Sequence, residues 1–79
     1  MTKSVFTNCY ACFRQMLIQE RQSKGVTQTQ LAQRLNKPQS YVSKYENGER
    51  RLDVIEFLEI ADCIGMDPAE FIRRLKDNE

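Results

Sequence analysis

The fold is decided by Thr27-Gln28-Thr29-Gln30-Leu31-Ala32-Gln33-Arg34-Leu35-Asn36-Lys37-Pro38-Gln39-Ser40-Tyr41-Val42-Ser43-Lys44-Tyr45-Glu46-Asn47-Gly48. Thr27 is a good N-cap and Gln30, three residues on, completes a capping box. Leu31, Ala32 and Leu35 then face inward at helical spacing. Asn36 follows, a residue that tolerates the left-handed conformation. Pro38 suits the first turn of a new helix, where its missing N–H would be unpaired anyway. That helix runs from Gln39 to Glu46, buries Val42 and Tyr45, and stops at Asn47-Gly48. Two short helices joined by a tight turn make a helix-turn-helix. The small Ala32 sits where the two helices must approach closely.

The flanks extend the helical pattern. Phe6, Cys9, Tyr10, Phe13, Met16 and Leu17 recur at three- and four-residue spacing, which predicts a helix from about Thr7 to Ser23. Lys24-Gly25 ends it, glycine supplying the positive φ that a helix C-terminus favours. Downstream, Asp53 with Glu56 is a second capping box. It opens a helix to about Cys63 with the stripe Val54, Phe57, Leu58, Ala61 and Ile64, closed by Gly65. Asp67-Pro68-Ala69-Glu70 starts a last helix lined by Phe71, Ile72 and Leu75. No segment alternates as a strand. The expected fold is all-α, a compact four- to five-helix bundle containing a helix-turn-helix, with residues 1–79 forming one domain.

Composition narrows the function. Seventy-nine residues bury only roughly 60% of the surface of the unfolded chain, which leaves little room for a catalytic pocket between lobes. There is no His, no nucleophile–base pair and no phosphate-cradling glycine loop, so neither an enzyme nor a cofactor is expected. No apolar run approaches the ~20 residues needed to span a bilayer, and the start shows no signal-peptide pattern. A cytoplasmic, nucleoid-associated protein is expected, with no membrane partner.

The net charge of +1 hides an asymmetry. Residues 1–51 hold nine bases against three acids, a net +6, whereas residues 52–79 hold three against eight, a net −5. Such a chain can present its basic half to a polyanion, although two merely solvated faces would look the same.

The outward residues of the third helix are Gln39, Ser40, Ser43 and Lys44, hydrogen-bonding side chains without an acid among them. An α-helix fits the major groove of DNA, where Gln pairs with adenine, Lys with guanine and Ser with either. The competing readings are a polar solvated face on an ordinary hairpin, or a protein adaptor on the same scaffold. An adaptor would call for acids or large apolar residues at these outward positions.

Cys9-x-x-Cys12 points elsewhere. A redox pair of this kind follows a strand, and none precedes it. A zinc site wants four ligands, and only Cys63 could join the two. The three cysteines read as small apolar packing residues, with redox or metal sensing as the alternative and no metal site expected.

Residues 27–35 and 39–48, continued by Glu49-Arg50-Arg51-Leu52-Asp53-Val54-Ile55-Glu56-Phe57-Leu58-Glu59-Ile60-Ala61, closely resemble the Cro/cI (Xre-type) repressor family over about Leu17 to Leu75. The resemblance implies a lambda-repressor-like DNA-binding domain, a transcriptional regulator that acts as a repressor on double-stranded DNA. It implies that Gln39, Ser40 and Lys44 reach base edges with Ser43 beside them. Gln28, Asn47, Arg50 and Arg51 would contact the phosphate backbone, Gln28 also steadying the recognition helix, and Arg21 and Glu46 would form a buried ion pair. It also implies a homodimer on inverted half-sites. The last helix offers a surface for pairing: Phe71, Ile72 and Leu75 span more than one of its faces and Met66 precedes it. Part of the set would pack on the fourth helix and the rest be free for a partner, the alternative being that all of it closes the chain's own core. Two positions depart from the family pattern. Asn36 stands where glycine is common, and Glu20 where a small or apolar residue is common. Glu20 either leans into solvent or pairs with a base such as Lys24.

Overall fold

The computed structural model describes the backbone of residues 2–77 and the side chains of residues 8–77. Among the described residues five helices follow in order: α1 (Thr2–Ser23), α2 (Gln28–Leu35), α3 (Gln39–Glu46), α4 (Val54–Ile64) and α5 (Pro68–Asp77). Among the described residues there is no strand, and no helix is long and apolar enough to cross a membrane. α1 begins five residues before the predicted Thr7. The first residues hold neither Gly nor Pro, so nothing in the chain stops the helix there. The expected Phe6 position in the apolar stripe lies outside the described side chains.

The caps explain the other boundaries. Thr27 Oγ1 accepts from the Gln30 N–H at 3.0 Å while Gln30 Oε1 accepts from the Thr27 N–H at 3.0 Å. Asp53 and Glu56 make the same reciprocal pair at 2.7 and 2.9 Å. At the end of α2, Asn36 takes φ 59°, and the Lys37 N–H closes on the Ala32 carbonyl at 2.9 Å. Asparagine therefore makes the left-handed turn in glycine's place. Pro38 stands as the N-cap of α3, one position ahead of the first helical residue.

The core is built from Leu17, Leu31, Val42, Tyr45, Ile60 and Phe71, all fully buried. Phe13, Phe57 and Phe71 form a triangle with ring centroids 5.2–5.8 Å apart, tying α1, α4 and α5 together. Glu20 joins α1 to α5 as well, its carboxylate lying 3.0 Å from Lys24 Nζ and 2.8 Å from Arg74 Nη2. The hydrogen bond from Lys24, aided by Arg74 and opposed by partial burial, holds the Glu20 carboxyl below the usual range.

Two expectations about the C-terminal half are corrected. Val54 and Leu58 do not belong to the buried stripe of α4: they are 71% and 43% exposed, while Ile60 is buried completely. α4 carries apolar residues on more than half its circumference. At 100° per residue the bundle takes the arc of Phe57, Ile60, Ala61 and Ile64 and leaves Val54, Leu58 and Ile55 on the next arc round. Likewise Phe71 is not available to a partner, because it is consumed by the aromatic triangle. Met66 and Leu75 pack partly against the same core, and of the four pairing candidates only Ile72, 46% exposed, faces outward as a large apolar side chain.

Candidate nucleic-acid interface

α3 is polar on one side and locked on the other. Its outward residues Gln39, Ser40 and Lys44 are exposed, and Ser43 is half-buried. Its inward residues Tyr41, Val42, Tyr45 and Glu46 are buried. A buried carboxylate is costly unless it is paired and hydrogen-bonded. Glu46 meets that condition three times over. Arg21 approaches it through two nitrogens, Nε to Oε2 at 2.8 Å and Nη2 to Oε1 at 3.1 Å. The third guanidinium nitrogen donates to the Val26 carbonyl at 2.8 Å. Gln28 Nε2 then donates to Glu46 Oε1 at 2.9 Å. Gln39 Nε2 in turn donates to Gln28 Oε1 at 3.3 Å. A continuous path therefore runs from a buried ion pair to the first exposed side chain of α3.

The loop after α3 is arranged differently. Asn47 is exposed and holds the C-cap. Arg50 reaches Glu56 at 2.6 Å and lies over the Tyr41 ring, 4.8 Å from its centroid. The Arg50 bond, together with the Asp53 backbone N–H, keeps Glu56 below the usual carboxylate range. Arg51 lies instead over Tyr10 of α1, 4.0 Å from the ring centroid. It lines a groove with Cys9, Phe13, Leu52, Ile72 and Leu75. The structure thus joins Gln28, Gln39 and the Arg21–Glu46 pair directly, and it sends Arg50 and Arg51 to different neighbours.

Three features complete this frame, the last two of them not foreseen. Gln28 is an internal strut as well as a candidate phosphate ligand. Tyr41 is a buried platform flanked by Arg50 and Lys37. Arg14 Nη1 donates to the Glu46 carbonyl at 2.6 Å. The spacing of Arg14 and Arg21, seven residues or two turns, places both on one face of α1 and is the one sequence signal for the third. The cysteines are all half-buried, and burial, with Asp62 nearby, pushes the Cys63 thiol up and so away from the reactive thiolate.

A short helix held by a buried ion pair, presenting amide, hydroxyl and ammonium groups beside a loop that carries Arg50 and Arg51, defines a helix-turn-helix domain of the DNA-binding type. Comparison with known proteins agrees. The family model described as helix-turn-helix matches residues 17–71. A solved structure described as an XRE-family like protein from Pseudomonas syringae pv. tomato str. DC3000 is 45% identical, with a TM-score of 0.92, over 96% of this chain and 93% of that one. No match was found among curated proteins. The chain belongs to the XRE-type helix-turn-helix family, a family of DNA-binding transcription regulators.

Proposed function

We propose that the protein binds double-stranded DNA sequence-specifically, as a repressor that acts as a homodimer on an operator with inverted half-sites. The observation that carries this reading is the path from Arg21 and Glu46 through Gln28 to Gln39. A glutamine amide offers two N–H donors and one carbonyl acceptor. With one donor given to Gln28, Gln39 keeps one donor and one acceptor side by side, the pair that adenine N7 and N6 require in the major groove. The path fixes the amide before DNA arrives, which lowers the ordering cost of binding. Ser40 and Lys44 read neighbouring bases, Lys44 toward guanine, with the half-buried Ser43 beside them. Gln28, Asn47, Arg50 and Arg51 contact phosphates and set the register. Repression follows most simply from occupying the operator, since it needs no further contact. The site of action is the nucleoid, in the cytoplasm.

One recognition helix reads few bases, so two-fold pairing is the economical route to a useful site. The pairing surface is Ile72 of α5 together with Val54, Ile55 and Leu58 of α4, rather than the set centred on Phe71. Val54, Leu58 and Ile72 line one groove with Phe57, Pro68 and Ala69. Contiguous exposed apolar surface of this kind marks association sites.

Selection of bound duplexes from a random pool tests the proposal. It should enrich an inverted repeat whose half-sites are centred about 10 bp, or one helical turn, apart. Recovery of no common sequence would overturn it.

A further inference from the structure

We infer that the part of α1 ahead of the family match is a clamp on the end of the recognition helix, with Arg14 as a positioning residue for DNA binding. The inference rests on the proposed function for its consequence and on separate contacts for its geometry. The last carbonyls of a helix lack intrahelical partners. In α3 the N–H groups of Asn47, Gly48 and Glu49 take the carbonyls of Ser43, Tyr45 and Lys44. The carbonyl of Glu46 goes to Arg14, through Nη1 at 2.6 Å. A cation here also faces the negative end of the helix dipole.

The guanidinium does more than cap. Gly48 takes φ 83°, and a Cβ built on it would stand 3.2 Å from Arg14 Cζ and Nε. The Arg14 head therefore lies close against the bare backbone of the turn, which favours glycine for its dihedral and where a Cβ would press on the guanidinium. Tyr10 is one turn earlier on the same face of α1 and carries Arg51 on its ring. Arg14 grips the beginning of the segment 46–51 and Tyr10 grips its end. Glu46 itself is held twice, by its carboxylate from Arg21 and by its carbonyl from Arg14. The family match begins at residue 17, so both grips come from outside it.

The consequence is specific. Arg14 spends its charge on a carbonyl inside the chain, so it sets the position of the phosphate-contacting loop without being one of the contacts. Its loss should weaken binding to every duplex alike, because phosphate contacts carry no sequence information.

The test compares wild type with Arg14→Met, which keeps the stem, and Arg14→Lys, which keeps the charge. Affinity is measured across a salt series for a pool-enriched duplex and for one of random sequence, and hydrogen exchange of the Gly48 and Glu49 amides is measured without DNA. Arg14→Met should speed exchange at those amides. It should weaken both duplexes, by up to about tenfold, since a bond kept in the free and bound protein alike can cost binding at most its own worth, with the salt slope unchanged. Arg14→Lys should recover most of the loss. Unchanged exchange in Arg14→Met would remove the clamp, whatever the protein does with DNA. Faster exchange with unaltered affinity would remove its role in binding, and a slope shallower by about one would place Arg14 on a phosphate itself. Should Arg14→Met fail to fold, Tyr10→Leu reads the other grip: exchange should rise toward residue 51, and unchanged exchange there would overturn the clamp.

Discussion

α3 and the α4–α5 hairpin present opposite kinds of surface. On α3 every large apolar side chain is buried, and what remains outside is polar, with its first member tied by hydrogen bonds to a buried ion pair. On α4 and α5 the core is already satisfied by Phe57, Ile60, Ile64 and Phe71, yet Val54, Ile55, Leu58 and Ile72 are left in solvent. The charge follows the same division, with the basic excess in residues 1–51 and the acidic excess in 52–79. A surface whose polar groups are pinned from beneath suits a partner that must be matched by hydrogen bonds at fixed positions. A surface of surplus core-type residues suits a partner that excludes water. These are the two surfaces that the proposal gives to DNA and to a second copy of the chain respectively.

The largest effect expected is from cutting the pin. Glu46→Ala would leave Arg21 buried without its counter-charge, which costs about 3–5 kcal/mol. That is a large part of the 5–15 kcal/mol that holds a domain together. Urea denaturation should show the midpoint collapse. A variant as stable as wild type would mean that the polar half is not organised around this pair.

Next in size is the apolar half. Leu58→Glu places a charge in the middle of the exposed patch without touching the core, so helicity should be retained. Sedimentation equilibrium at micromolar concentration should show dimer for the wild type and monomer for this variant. If both are monomers, or both dimers, the patch is not the pairing surface and the comparison loses its second member.

The smallest effect lies in the loop. Arg50→Ala combined with Arg51→Ala removes the two proposed cationic contacts, and the slope of log affinity against log salt should become shallower by nearly two. Arg50 and Arg51 are held by Glu56, Tyr41 and Tyr10, so each would contact DNA through the N–H groups that those partners leave free. A slope reduced by only one would show that just one of them does so.

Much of this was legible in the sequence because it is local. Thr27 with Gln30 and Asp53 with Glu56 are capping boxes whose partners lie three residues apart, and they place α2 and α4 correctly. Asn36 marks the turn for the same reason. The exposed arc of α4 was not legible. A helix apolar on more than one side satisfies the helical period whichever arc is buried, and only packing against α2 and the aromatic triangle decides. Phe71 was misjudged on the same ground. Its neighbours in sequence say that it is apolar, but its burial depends on Phe13, 58 positions away. Arg14 was missed because its carbonyl partner lies 32 residues along the chain, and a backbone acceptor leaves no mark on the sequence. Gln28 was expected to steady the recognition helix, but the partners through which it does so, Glu46 and Gln39, lie 18 and 11 residues along the chain.

The central claim is that the outer face of α3 reads bases from a frame set beneath it. The most direct test measures the affinities of wild type, Gln39→Ala and Lys44→Ala for the pool-enriched duplex and for a random duplex at one salt concentration. Each substitution should cost about 1–3 kcal/mol on the enriched duplex and much less on the random one, so that the ratio of the two affinities falls. Both variants keeping the wild-type ratio would contradict the account, because the sequence would then be read by some other part of the molecule.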